Sequence, residues 1–184
     1  MSAQALLAGI LIGFAAIISC CVENTILAAL FFSIGLLYIR ISKLYLYTGQ
    51  IQNIKNNSTS GLELFQGLCF NIIGVTFAFS VMFFLNFPAA ADKYFAITAV
   101  KWSHPWYHYI ASGICCGALM TIATKKESPL WLSILCVMAF ILAGFNHSIA
   151  DWFYIFGEQG LTKYLYWFLV VIGNFLGGYL AATK

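Results

Sequence analysis

Apolar residues run along this chain in stretches of about twenty, the length a helix needs to cross a hydrocarbon core, with short polar or turn-rich segments between them. Six stretches are predicted as helices, at about 5–22, 26–54, 64–87, 105–124, 129–156 and 161–182. Four are ordinary. The second holds Arg40 and Lys43 and then Thr48, Gly49 and Gln50, and the fifth holds Gly144, Asn146, His147, Ser148 and Asp151. Both are too long and too polar for a plain span. An interrupted helix survives at membrane depth only where its freed backbone is buried in protein or lines a wet cavity, so these two breaks point to a pathway.

Short patterns recur in the two halves. Gly9 and Gly13 form a GxxxG face in the first stretch, and Gly113 and Gly117 form another in the fourth, 104 residues on. Asn71-Ile-Ile-Gly74 is echoed by Asn174-Phe-Leu-Gly177 at a spacing of 103, and Leu46-Tyr-Thr-Gly49 by Phe145-Asn-His-Ser148 at 99. Three stretches per half invert the second repeat in the bilayer and set the two broken helices opposite each other around a midplane site. The small-residue faces let helices approach closely. The expectation is therefore an all-α membrane protein of six transmembrane helices. It forms a single domain over 1–184, built from two inverted three-helix repeats at about 1–87 and 101–184 with broken second and fifth helices.

Composition agrees with this pattern. Hydrophobic residues make up 62% of the chain and charged residues only 8%, too few to clothe a soluble domain, for which about 25% is usual. A mean hydropathy of +0.89 leaves no stretch for a separate soluble unit. The net charge of +3 is scattered, which excludes a nucleic-acid surface. Six cysteines lie within apolar runs and read as small packing residues, with no metal site and no cofactor expected. The first stretch lacks a basic flank and a cleavage site, so it reads as a retained span.

With the N-terminus cytoplasmic, the inner side receives Arg40, Lys43, Lys55, Lys125, Lys126 and Lys184, and the outer side Lys93, Lys101 and Lys163. This bias predicts cytoplasmic N- and C-termini in an inner (plasma) membrane. Trp102, Trp106, Tyr107, Trp152, Tyr154, Tyr164 and Trp167 are expected in an interfacial aromatic belt at the outer ends.

The motifs resemble those of the formate/nitrite transporter family. Ala143-Gly-Phe-Asn-His-Ser-Ile-Ala-Asp151 is similar to the family's Gly-Phe-Glu-His-Ser-Val/Ile-Ala-Asn element in the fifth helix. Leu46-Tyr-Thr-Gly49 resembles its Leu-Phe-Thr loop, and Gly173-Asn-Phe-Leu-Gly-Gly178 its Gly-Asn-Ile-Ile/Val-Gly-Gly motif. The resemblance spans nearly the whole chain and implies a homo-pentamer of aquaporin-like protomers in the lipid bilayer. It places His147 at the central pore histidine, Thr48 opposite it, and Lys101 at the lysine before the fourth helix. Phe32, Leu36, Leu46 and Phe140 fall on hydrophobic constrictions, with Met120 near another. Three positions depart: Asn146 stands where the family has an acid and Asp151 where it has asparagine, and Gly117 replaces an asparagine usual in the fourth helix.

Apart from the resemblance, a lone ionisable residue among apolar neighbours at membrane depth is a functional candidate, because keeping it there costs a few kcal/mol. His147 meets that description. An arriving anion favours imidazolium while burial favours the neutral ring, which couples substrate and proton. A small monovalent anion would be drawn to Lys101 and to half-helix N-termini. It would cross the dry collars more readily as its neutral acid. The expected function is channel-like transport of formate, nitrite or hydrosulfide, linked to a proton. The alternatives are a pore for water, ammonia or glycerol, or a membrane scaffold. His104 and His108 have a spacing two metal ligands can use, without an evident third. His147, Ser148 and Asp151 have the residue types of a hydrolase triad, but neighbours on one helix do not aim Ser at His, so no enzyme is expected.

Overall fold

The computed structural model describes residues 1–157 and 159–182. Of the basic residues weighed for orientation, Lys184 lies outside the described residues. Nine α-helices follow one another, with no strand among the described residues: α1 Ser2–Cys21, α2 Thr25–Ile41, α3 Tyr47–Gln50, α4 Gly61–Phe84, α5 Pro88–Lys101, α6 Trp106–Thr124, α7 Leu130–Leu142, α8 Ser148–Phe153 and α9 Thr162–Ala181. Short 3-10 turns, Ile51–Ile54 and Tyr154–Gly157, extend α3 and α8.

Local chemistry sets many of the boundaries. Asn24 caps α2 by accepting from the backbone N–H of Ile26 and Leu27. Ser60 and Glu63 form a reciprocal capping box at the start of α4. Proline opens α5 and precedes α6 and α7, where its missing N–H costs nothing.

By length and composition, α1, α4 and α9 are each able to cross a membrane, while α2 and α7 are apolar but shorter. Large apolar side chains face outward, among them Leu62, Phe83, Phe84 and Leu165. A surface this apolar is stable against lipid and not against water.

Glycines fix the closest helix pairs. A Cβ on Gly9 would run into the Asn71 backbone carbonyl, so α1 meets α4 backbone to backbone. On the other side, a Cβ on Gly117 would strike the Asn174 carbonyl and one on Gly177 the Ile114 carbonyl, which holds α6 against α9. These contacts join the stretches that carry the recurring glycine and asparagine patterns.

Both interrupted stretches break, and in the same way. At the first, Ser42 N–H donates to Tyr38, Lys43 to Arg40 and Leu44 to Ile39; at the second, Ala143 donates to Ala139, Gly144 to Ile141 and Phe145 to Phe140. Lys43 and Gly144 both adopt positive φ, 53° and 72°. Leu46 and His147 then cap the next half-helices in extended conformation. The backbone correspondence therefore runs from Leu46 to His147, 101 residues apart, and corrects the pairing of Leu46 with Phe145 at 99. Turn geometry, not side-chain likeness, sets the register.

Two further expectations change. The segment between the third and fourth stretches is not a bare loop but α5, which packs against α1 and the turn after α8. Its modest length and its Asp92 and Lys93 hid it among the apolar stretches. Trp102 and Tyr154 are buried and do not join an aromatic belt: Trp102 Nε1–H donates to the Tyr154 carbonyl at 3.2 Å. Trp106 and Tyr107 are exposed.

Candidate permeation site

Two asparagines hold the half-helices in place. Asn71, on α4, accepts from Tyr47 N–H at 2.8 Å and donates to the carbonyls of Ala5 at 2.7 Å and Tyr45 at 3.0 Å. Asn174, on α9, accepts from Ser148 N–H at 2.8 Å and donates to Gly113 at 2.9 Å and Asn146 at 2.8 Å. Each amide ties the first N–H of a half-helix, the carbonyl before it and a neighbouring long helix into one unit. Both are fully buried, and a buried amide so fully used rigidifies what it touches.

Held this way, α3 and α8 meet near their N-termini. Thr48 Oγ1 lies 2.9 Å from His147 Nε2. His147 Nδ1 accepts from Ala150 N–H at 3.1 Å, so Nδ1 carries no proton and the neutral ring bears its proton on Nε2. That N–H donates to Thr48 Oγ1, which leaves the threonine hydroxyl proton available to another acceptor. His147 is stacked on Phe140 at 5.5 Å, and Phe140 meets Phe32 edge-on at 6.3 Å.

Two cavities flank this contact. The first, about 580 Å³, is lined by Phe32, Phe140, Asn146, His147, Lys93, Lys101, His104, His108 and Asp151 among others. The second, about 870 Å³, is lined by Leu46, Gly49, Gln50, Arg40, Lys43 and residues of the α6–α7 connection. Thr48, Leu36 and Met120 line neither cavity and are buried. Of the sequence-derived residues, Phe32, Phe140 and His147 line the first cavity and Leu46 the second.

Lys101 stands in the first cavity, its Nζ 2.8 Å from Asp151 Oδ1. Asp151 Oδ2 accepts from Asn146 Nδ2 at 2.6 Å, and Asn146 Oδ1 accepts from Ser112 Oγ at 2.6 Å. The residue reading named Lys101, Asn146 and Asp151 without joining them, and it missed Ser112. A lone serine in an apolar helix gives no signal until tertiary packing supplies its partner.

At the second cavity, Arg40 donates to the carbonyls of Lys125 at 2.8 Å and of Ser128, and to Ser133 Oγ at 2.5 Å. It pins the α6–α7 connection to the end of α2. His104 and His108 stack at 4.1 Å, and no group of three or more metal-ligating side chains exists among the described residues.

Comparisons with known proteins place these features in context. A family model described as Formate/nitrite transporter matches residues 1–183. No curated protein matches the chain. A solved structure described as an FNT family ion channel superposes with a TM-score of 0.83 at 18% identity, over 98% of this chain and 86% of that one. Another, described as a pentameric formate channel with formate bound, gives 0.83 at 19% identity, over 96% and 91%. At such identities the likeness is one of fold.

Proposed function

From the premise that the chain belongs to the formate/nitrite transporter family, we propose that it carries a small monovalent anion or its weak acid, formate, nitrite or hydrosulfide, across a membrane with a linked proton. The observation that carries this reading is the meeting of two half-helix N-termini at Thr48 and His147, between two cavities and behind apolar walls. Six spans built from two inverted repeats in one domain account for the matching breaks and the matching asparagine ties. The formate-bound relative supports both the substrate class and an assembly of five copies. The protomers sit in an inner membrane with both termini cytoplasmic, which makes the Lys101 cavity the outer one.

An anion reaching the outer cavity meets the Lys101 ammonium first. Deeper in, the His147 Nε2–H is taken by Thr48 Oγ1, so the Thr48 hydroxyl is the donor left for the anion, near the N-termini of α3 and α8. Beyond lie Leu36, Leu46 and Met120, where a bare anion would lose its hydration with little in return. The anion therefore takes up a proton from the water of the outer cavity before this zone and passes it as the neutral acid. Phe32 and Phe140 exclude water from the step, and Asn146 and Asp151 support the lining.

The neutral-solute alternative draws on one observation, that Lys101 is paired with Asp151 and so offers no unbalanced charge. Uptake into proteoliposomes at about pH 5.5 and about pH 7.5, where protons for the anion are plentiful and scarce respectively, decides between them. Formate, nitrite, hydrosulfide and glycerol are compared, with His147→Asn as control. Faster anion uptake at the lower pH, altered by the substitution, is expected. Glycerol uptake without anion uptake overturns the reading.

A further inference from the structure

We propose that the Asp151 carboxylate, held in place by Lys101 and Asn146, sets the charge of the outer cavity and through it the affinity for the transported anion. The inference rests on the transport reading above and adds what makes binding there weak enough for passage.

Side-chain exposure separates the two partners: 15% for Lys101 and 2% for Asp151. Both line the cavity, the ammonium being the more exposed and the carboxylate buried beside it. Each carboxylate oxygen has its own partner, Oδ1 the ammonium and Oδ2 the Asn146 amide, and Asn146 is held in turn by Ser112. The chain of contacts runs from α6 through the second break to α8 and on to the end of α5. A buried carboxylate satisfied on both oxygens is fixed in place, and it fixes the ammonium beside it. The Tyr154 ring, 5.6 Å from Lys101 Nζ, bounds the ammonium on another side.

The charges that line this cavity are Lys93, Lys101 and Asp151, with the imidazoles of His104, His108 and His147. Lys93 is tied to the carbonyls of Ser19 and Val22 at the end of α1. With the imidazoles neutral, Asp151 balances one of the two lysines. An incoming anion then shares Lys101 with a carboxylate that never leaves. Such a site attracts without trapping, which conduction requires of any binding station. Without the carboxylate, Lys101 would hold the anion more firmly and release it more slowly.

The test is formate uptake kinetics of the assembled protein in proteoliposomes. Asp151→Asn keeps the shape and removes the charge. It is expected to lower the apparent KM at least about threefold, lower the maximal rate, and steepen the decline of uptake with salt. The Asn146→Asp/Asp151→Asn variant returns a carboxylate to the same bonded pair and is expected to bring KM back toward the original value. An unchanged KM and salt dependence in Asp151→Asn, with or without a lower maximal rate, overturns the proposal and leaves Asp151 a structural residue. If Asp151→Asn does not assemble, Lys101→Gln is compared with Lys101→Gln/Asp151→Asn. Loss of the carboxylate beside the neutral partner should lower KM, and equal values overturn the proposal. Failure of the unsubstituted protein to move any anion overturns the transport reading itself, and this inference with it.

Discussion

At the scale of single residues, the contact between Thr48 and His147 carries the most chemistry for its size. Because Ala150 N–H occupies Nδ1, a second proton on His147 would have to displace the cap of α8. The ring is therefore built to donate through Nε2. Thr48→Val removes the acceptor while keeping the shape and leaves a buried N–H unpaired, which costs about 1–3 kcal/mol. Lower thermal stability in detergent and slower formate uptake are expected. Thr48→Ser, which keeps the hydroxyl, should retain most of both. Equal behaviour of the valine and serine variants would remove the hydroxyl from the mechanism.

At the scale of elements, α3 and α8 are too short to stand alone and take their direction from Asn71 and Asn174. Those asparagines reach the breaks only because α1–α4 and α6–α9 pack at backbone distance over glycine. Gly117→Ala would place a methyl group inside the Asn174 carbonyl and push α9 outward. Overpacking of this kind costs about 1–3 kcal/mol. The variant should lose thermal stability and uptake together, because the amide that holds Ser148 N–H moves with α9. Gly61→Ala, where a Cβ meets nothing within 4 Å, is the matched control and should stay within about 0.5 kcal/mol. Loss of both properties in the control as well would refute the close-packing account.

At the scale of the whole molecule, two cavities lie within the helical bundle, and the exterior carries far more apolar surface than a soluble protein tolerates. On the proposed reading, the lipid bilayer covers part of that exterior and neighbouring protomers the rest. Native mass spectrometry from detergent should give a particle of five 20.4 kDa chains, and a monomer that transports would remove the assembly from the proposal.

Much of this was legible in the chain alone. Apolar stretches of bilayer length, two polar interruptions, paired glycines and paired asparagines follow from local rules about what hydrocarbon tolerates, so they show in one dimension. His147 and Thr48 stood out for the same reason, as polar groups where polarity is costly. Other features needed the fold. Lys101 and Asp151 are 50 residues apart, and nothing in either neighbourhood says that their side chains meet at 2.8 Å. Ser112 and Arg40 acquire roles only from carbonyls and amides brought to them by packing, and Trp102 moves from an expected interface to the interior because α5 folds back. Hydrophobic periodicity depends on each residue and its solvent, whereas pairing of charges and hydrogen-bonding groups depends on distances between distant segments, which only the tertiary structure decides.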